Sequence, residues 1–137
     1  MAQQPAVQPV PPRLQRGGRV PHFHVTDTSA ARVAYDEAIW QRDHLLLVSL
    51  GDDDGDPFAA IARDLQGRAS DIAALEARLV VTRDPIAGVP RPGAVVADRW
   101  GEVFAVIDEA GSTDADDLIE WIRWVQMKCP ECEGEAY

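Results

Sequence analysis

The sequence predicts an α/β domain, and three features of its first half carry that prediction. Residues 45–50 form an apolar run without alternation, which is typical of a central strand buried on both faces. A helix begins after it, because Asp56 can act as the N-cap and Pro57 suits the first helical position. Residues 79–81 form the next apolar run, so strand, helix and strand make a βαβ crossover between parallel strands. The helix between them has apolar residues at helical spacing, namely Phe58, Ile61, Ala62 and Leu65.

A short hairpin is expected before the central strand. Residues 20–25 contain three apolar side chains, residues 27–29 favour a turn, and residues 32–35 can form a second strand. Residues 35–41 then predict a helical turn that carries Ile39 and Trp40 under the sheet.

A second hairpin is expected after the crossover. Residues 84–93 are rich in proline and glycine and predict an irregular loop. Two apolar runs, 94–97 and 103–107, flank a turn in which Gly101 can take the left-handed conformation. The predicted element order is therefore β-β-β-α-β-β-β-α.

Two further helical segments complete the prediction. Ser70 or Asp71 can cap a short helical piece before the strand at residues 79–81. Thr113 or Asp114 can cap the last helix, which we expect to end near Lys128. Its apolar face repeats at i, i+3, i+4 and i+7, with Leu118, Trp121, Ile122 and Val125.

Composition divides the chain into three parts. Residues 1–18 are rich in glutamine and proline and bury too little apolar surface to offset ordering, so we expect a disordered arm. Residues 19–128 are long enough for one domain with its own core. Residues 129–137 form an acidic tail that holds both cysteines in a CxxC spacing.

Charge and hydropathy exclude several classes of function. The formal net charge is −10, which disfavours binding to nucleic acid or to an anionic membrane surface. No run of about twenty apolar residues marks a membrane span, and no secretory signal opens the chain. We therefore expect a cytoplasmic protein.

The element order and two segments resemble the thioredoxin fold, and specifically its peroxiredoxin-like (alkyl hydroperoxide reductase/thiol-specific antioxidant) branch. Residues 18–27, GRVPHFHVTD, are similar to that superfamily's opening strand. Residues 92–103, PGAVVADRWGEV, are similar to its proline, strand, Asp, turn glycine and strand segment. The resemblance implies a three-layer fold with a mixed sheet of about five to six strands and flanking helices.

The same resemblance implies a cis-proline beside the active position. Pro92 is the matching residue, with Pro90 as the second choice. We expect a cis Arg91–Pro92 bond that faces the crevice above residues 51–56 and brings Arg91 near the aspartates there.

The chain departs from the family at the active position itself. Peroxiredoxin-like proteins place a reactive cysteine after the central strand, where a helix N-terminus stabilises the thiolate. Residues 51–58 hold four aspartates and no cysteine, so we expect no peroxidase activity of the usual kind. The aspartate and glycine offsets also fail the EF-hand calcium pattern.

Cys129 and Cys132 are the groups with evident redox or soft-metal chemistry. They follow the negative end of a helix among three glutamates, which opposes thiolate formation. Three interpretations stay open: a thiol–disulfide pair, half of a zinc site completed by a second copy or by His22 and His24, or an inert tail. No other cofactor is expected.

Two function classes follow from these observations. The first is a thiol–disulfide oxidoreductase in which Cys129 or Cys132 attacks a disulfide of a partner. The second is a non-catalytic binding or adaptor module on a degenerate thioredoxin fold, whose partner is another protein. For that module we expect Trp100, at the tip of the second hairpin, to contact the partner.

Overall fold

The computed structural model describes residues 12–53 and 55–128. Within them the chain forms a small antiparallel hairpin, a four-stranded mixed sheet and four α-helices. The elements are β1 (His24–Thr26), β2 (Arg32–Ala34), α1 (Tyr35–Ala38), β3 (His44–Ser49), α2 (Pro57–Gln66), α3 (Ala69–Ala74), β4 (Ala77–Thr82), β5 (Gly93–Ala97), β6 (Val103–Ile107) and α4 (Ala115–Met127).

The main sheet has the order β4-β3-β5-β6. β3 runs parallel to β4, as a crossover through α2 and α3 requires, and antiparallel to β5. β5 and β6 form the predicted hairpin, and Gly101 closes its turn with a φ of 86°. The mixed α/β class, the crossover and the closing hairpin are therefore confirmed.

The resemblance implies one sheet of about five to six strands, but the six described strands do not share one sheet. β1 and β2 pair only with each other over three residues each. They meet the edge of β4 at a bridge between Asp27 and Thr82, and the N–H of Thr28 donates to the carbonyl of Val81 at 2.9 Å. The Asp27 side chain accepts hydrogen bonds from the backbone of Ser29 and Ala31, which tightens the turn. A hairpin this short covers the sheet as a flap and adds no full strand to it.

The central strand β3 is buried on both faces, as its unbroken apolar run predicts. Leu46 and Val48 face α2, α3 and α4 in one core cluster. Leu45 and Leu47 face the other side, where the β1–β2 hairpin, α1 and the loop after β4 cover the sheet. The result is three layers, with the main helices on a single face.

The helix boundaries follow the predicted caps in two of three cases. Asp56 caps α2 with Pro57 in its first turn, and Asp114 caps α4 through a reciprocal capping box with Asp117. α3 instead begins after Arg68 without a side-chain cap, so the cap expected at Ser70 or Asp71 is wrong. α4 ends at Met127 with Lys128 as its C-cap, close to the end predicted near Lys128.

Order extends further towards the N-terminus than composition suggested, because residues 12–18 pack on the domain. Arg13 pairs with Asp108 at 2.9 Å, and Leu14 donates its N–H to Gly88. Gly17 donates to Val103. This segment runs beside the outer edge of β6 and covers part of it, which accounts for its order. The expected disordered arm at residues 1–18 is therefore wrong for residues 12–18.

No helix in the part of the chain that the structure describes is long and apolar enough to cross a membrane.

Candidate functional site

The crevice at the carboxyl end of β3 is closed by the chain's own polar groups. Asp56 is 8% exposed and lies at the N-terminus of α2. Its Oδ1 accepts the N–H of Phe58 at 2.9 Å, and its Oδ2 accepts the N–H of Gly51 at 3.1 Å. One carboxylate therefore satisfies both the helix end and the loop, at the position where the resemblance implies a reactive cysteine.

Two arginines lie over the same loop. Arg83 donates to the carbonyl oxygen of Gly51 at 2.5 Å. Arg91 donates through Nε to the carbonyl of Arg83 at 2.9 Å and through Nη2 to Asp52 at 2.6 Å. Arg91 thus lies beside an aspartate of this loop, as the sequence predicts.

Pro92 also lies where the sequence predicts it. The Arg91–Pro92 bond is cis. A Cβ placed on Gly51 would lie 3.7 Å from Cδ of Pro92, so the proline lies directly against the loop. The crevice therefore contains fixed hydrogen bonds and ion pairs, and the described residues that form it include no thiol.

The predicted redox pair, Cys129 and Cys132, lies outside the described residues. The residue before it, Lys128, places its Nζ 4.4 Å from the centroid of the Trp124 ring. This cation–π contact joins the last turn of α4 to its aromatic face.

The two histidines proposed as zinc ligands have separate partners. The ring of His22 lies 4.9 Å from Trp40, while His24 Nε2 lies 3.3 Å from Asp36 Oδ1. No group of three or more His, Cys, Asp or Glu residues among residues 12–53 and 55–128 is arranged to hold a metal ion.

Trp100 is exposed at the hairpin tip, with 41% of its surface accessible. Its backbone is fixed, because its carbonyl accepts from Arg19 at 2.8 Å and its N–H donates to Asp98 at 2.9 Å. The indole is exposed and available for contact.

A larger surface, the aromatic groove, lies between α4 and the end of β6. Its volume is about 580 Å³, and it is lined by Ile107, Ser112, Thr113, Asp117, Glu120, Trp121 and Trp124. Trp121 and Trp124 meet edge to face at 5.6 Å, and Phe104 meets Trp124 in the same way at 5.5 Å. At Trp121 the groove continues into a second hollow, lined by residues 13–16 and 104–107.

The aromatic groove was not predicted from the sequence. Trp121 was assigned to the apolar face of α4, and it does pack at the margin of the core. Trp124 lies three residues later and therefore projects beside it, outside that face. The sequence did contain a signal for this groove, namely a tryptophan that lies outside the apolar face of its helix.

A buried polar cluster at the opposite end of β3 was also missed. His44 is fully buried, and its Nε2 lies 2.6 Å from Oε1 of Gln126 on α4. Its Nδ1 accepts the backbone N–H of Arg99 at 3.1 Å. Glu76 binds the side chains of both Arg99 and Gln126, at 2.9 and 2.7 Å. Burial lowers the pKa of His44, and the neutral ring that results is the form able to accept from Arg99.

Comparison with known proteins gives no relative from which a role could be transferred: no model of a protein family matches this chain, and no curated protein matches its sequence.

Proposed function

We propose that this chain is a non-catalytic, protein-binding module on a thioredoxin-like fold of peroxiredoxin-like ancestry. One observation carries the proposal: the carboxylate of Asp56 accepts the N–H of Phe58 at the start of α2 and the N–H of Gly51 just after β3. The helix N-terminus would otherwise be free to stabilise a thiolate. A carboxylate held by these two hydrogen bonds keeps the site closed. It offers no thiolate that could attack a peroxide.

The sheet supports the thioredoxin-like part of the proposal. β3 lies between a parallel neighbour reached by a helical crossover and an antiparallel neighbour that begins a hairpin. Pro92 lies against Gly51 at the carboxyl end of that central strand. These elements are the ones on which the resemblance was based, and they support this part of the proposal.

The binding face that we assign is the aromatic groove. Grooves lined by aromatic rings suit extended, proline-rich segments, because such segments are already ordered and present flat apolar faces. Asp117 and Glu120 lie along the wall of the groove and disfavour acidic ligands. The partner that fits is therefore an uncharged or basic proline-rich stretch of a protein.

A titration with a synthetic peptide of three Pro-Pro-Val repeats tests this function. Binding is measured by tryptophan fluorescence and by calorimetry on the full chain. We expect the Trp124→Ala variant to weaken binding at least tenfold, because the peptide then loses its contacts with the faces and edges of the Trp121–Trp124 ring pair. The matched control is Trp100→Ala, which removes an equally exposed indole from the hairpin tip. Circular dichroism verifies that both variants fold.

Loss of binding in Trp100→Ala with retention in Trp124→Ala would move the binding face to the hairpin tip. No measurable binding by any of the three proteins would contradict the groove as a peptide site.

A second candidate function is thiol–disulfide exchange at Cys129 and Cys132. It is favoured by their place in the chain, directly after Lys128, whose ammonium group lies on the aromatic face of α4. One thiolate would attack a partner disulfide and release one partner thiolate, forming a mixed disulfide. The second cysteine would then attack, which releases the reduced partner and oxidises the pair.

Release of glutathione from oxidised glutathione is the simplest assay of that chemistry. We expect slow release of two glutathione molecules per reduced pair, because the helix C-terminus and the neighbouring glutamates raise the energy of the thiolate. A Cys129→Ser, Cys132→Ser variant with the same rate would exclude the pair from the reaction.

A further inference from the structure

We propose that the aromatic groove selects proline-rich partners that carry an arginine, and that this arginine stacks on Trp121 and pairs with Glu120. The inference rests on the proposed function, since it names the residue that the same groove recognises. It starts from the order of side chains along α4. Two carboxylates and two indoles share one face of the helix, at positions i, i+3, i+4 and i+7. They belong to Asp117, Glu120, Trp121 and Trp124.

The chain's own cations show that the rings of this face bind positive charge. Lys128 places its Nζ 4.4 Å from the centroid of the Trp124 ring. The guanidinium carbon of Arg16 lies 5.9 Å from the same centroid. In the part of the chain that the structure describes, no lysine or arginine lies over the ring of Trp121. Trp121 is therefore the indole of this face to which a cation of a partner can add.

The groove wall beside Trp121 is negatively charged. Glu120 pairs with Arg123, but both side chains are more than half exposed, and an exposed pair of this kind is weak enough to admit a second cation. Asp117 accepts the N–H of Asp114 with one carboxylate oxygen, which holds its charge at the groove. Two carboxylates outweigh the roughly half positive charge at the N-terminus of the helix. The charge of the groove is therefore complementary to a basic side chain.

Arginine fits this arrangement better than lysine does. A guanidinium group is planar, so it can stack on an indole and still direct N–H groups in its plane towards a carboxylate. An ammonium group is more strongly hydrated and offers no flat face. The groove has a volume of about 580 Å³, which lies within the range of roughly 300–1,000 Å³ found for ligand pockets, so it can hold such a side chain beside the prolines.

Three peptides of equal length test the inference by calorimetry on the full chain. Each consists of three Pro-Pro-Val repeats in which the central valine is replaced by arginine, lysine or citrulline. Citrulline has nearly the shape of arginine but no charge. We expect the arginine peptide to bind roughly tenfold more tightly than the citrulline peptide, with the lysine peptide between them.

Variants of the groove wall divide this preference into its parts. Glu120→Gln removes the ion pair and leaves the ring of Trp121, so we expect the advantage of arginine over citrulline to fall to about threefold. Arg123→Gln removes the cation that competes for Glu120, so the advantage should exceed that of the wild type. The matched control is Glu37→Gln, which removes the same charge from an exposed position of α1 on the other side of the sheet and should leave the advantage unchanged.

Equal affinity of the wild type for the arginine and citrulline peptides would overturn the inference. The proposed function would survive that result if Trp124→Ala still weakened the binding of both peptides. Equal losses in Glu120→Gln and Glu37→Gln would also overturn it, because the net charge of −10 would then account for the preference. A dimer in sedimentation that Trp124→Ala abolishes would assign the groove to a second copy. Binding of none of the peptides would remove both the proposed function and the arginine site.

Discussion

Asp56 and Gly51 are joined across the loop that follows the central strand: Oδ2 of Asp56 accepts the N–H of Gly51 at 3.1 Å. The other oxygen of the same carboxylate caps α2 through the N–H of Phe58. A single side chain therefore fixes the strand end to the helix start. Any ligand that used this helix N-terminus would first have to displace a buried, doubly bonded carboxylate.

Replacing Asp56 tests how much this contact stabilises the fold. We expect Asp56→Ala to lower the free energy of unfolding by about 2 kcal/mol, since an N-cap alone contributes about 1 kcal/mol and the Gly51 bond is lost as well. Urea unfolding measures it. The control is Asp53→Ala, an exposed aspartate of the same loop whose side chain accepts the N–H of Gly55, with an expected loss of about 0.5 kcal/mol. Equal losses in the two variants would show that Asp56 acts as an ordinary loop residue.

The closed crevice also predicts that the protein does not reduce hydroperoxides at a useful rate. The α2 N-terminus holds a carboxylate, which cannot be oxidised to a sulfenic acid by peroxide. Consumption of hydrogen peroxide by the reduced protein is the measurement, with the Cys129→Ser, Cys132→Ser variant as control. Rapid consumption that persists in this variant would contradict the assignment of the crevice.

Cys129 and Cys132 are expected to be dispensable for folding. They follow the last buried position of α4, Val125, and the C-cap residue Lys128. We expect the double serine variant to change the free energy of unfolding by less than about 1 kcal/mol under reducing conditions. Addition of a chelator to the wild type should change it equally little. A chelator-dependent loss of several kcal/mol would identify the pair as metal ligands that support folding.

Much of the domain could be predicted because its local and global signals agree. The apolar run of β3, the Asp56–Pro57 start of α2 and the glycine turn of the β5–β6 hairpin each specify one conformation, and the structure has all three. The contact between Arg91 and Asp52 could be predicted too, because the family resemblance placed a loop proline against the aspartates.

What the sequence did not predict depends on long-range contacts. Residues 12–18 contain few apolar side chains, and hydrogen bonds to Gly88 and Val103 hold them on the domain. Trp124 lies off the apolar stripe of α4, so only the position of Phe104 on β6 reveals that it forms a ring cluster. His44 opens an apolar strand, but its partners come from residues 32 to 82 positions away in the chain.

The last prediction concerns the pH dependence that the buried His44 introduces. Its folded pKa lies below the usual 6.5 because burial disfavours the charged ring, and Arg99 disfavours it further. Below pH 6.5 the unfolded chain therefore binds a proton at His44 that the folded chain does not bind. The stabilisation that depends on a neutral His44 is fully present above pH 6.5. It is lost as the pH falls towards the folded pKa, and the free energy of unfolding then decreases by up to about 1.4 kcal/mol per pH unit.

Urea unfolding at intervals between pH 7.5 and 5 measures this loss. Glu76 does not contribute to the slope in this window, because hydrogen bonds from Gln126 and Arg99 lower the pKa of its carboxyl group. We expect His44→Gln to be less stable at pH 7.5 but nearly independent of pH over this range. His24→Gln, which alters an exposed histidine paired with Asp36, should keep the wild-type slope. A slope that survives in His44→Gln and vanishes in His24→Gln would assign the pH sensitivity to the hairpin and leave the His44 cluster without a titrating role.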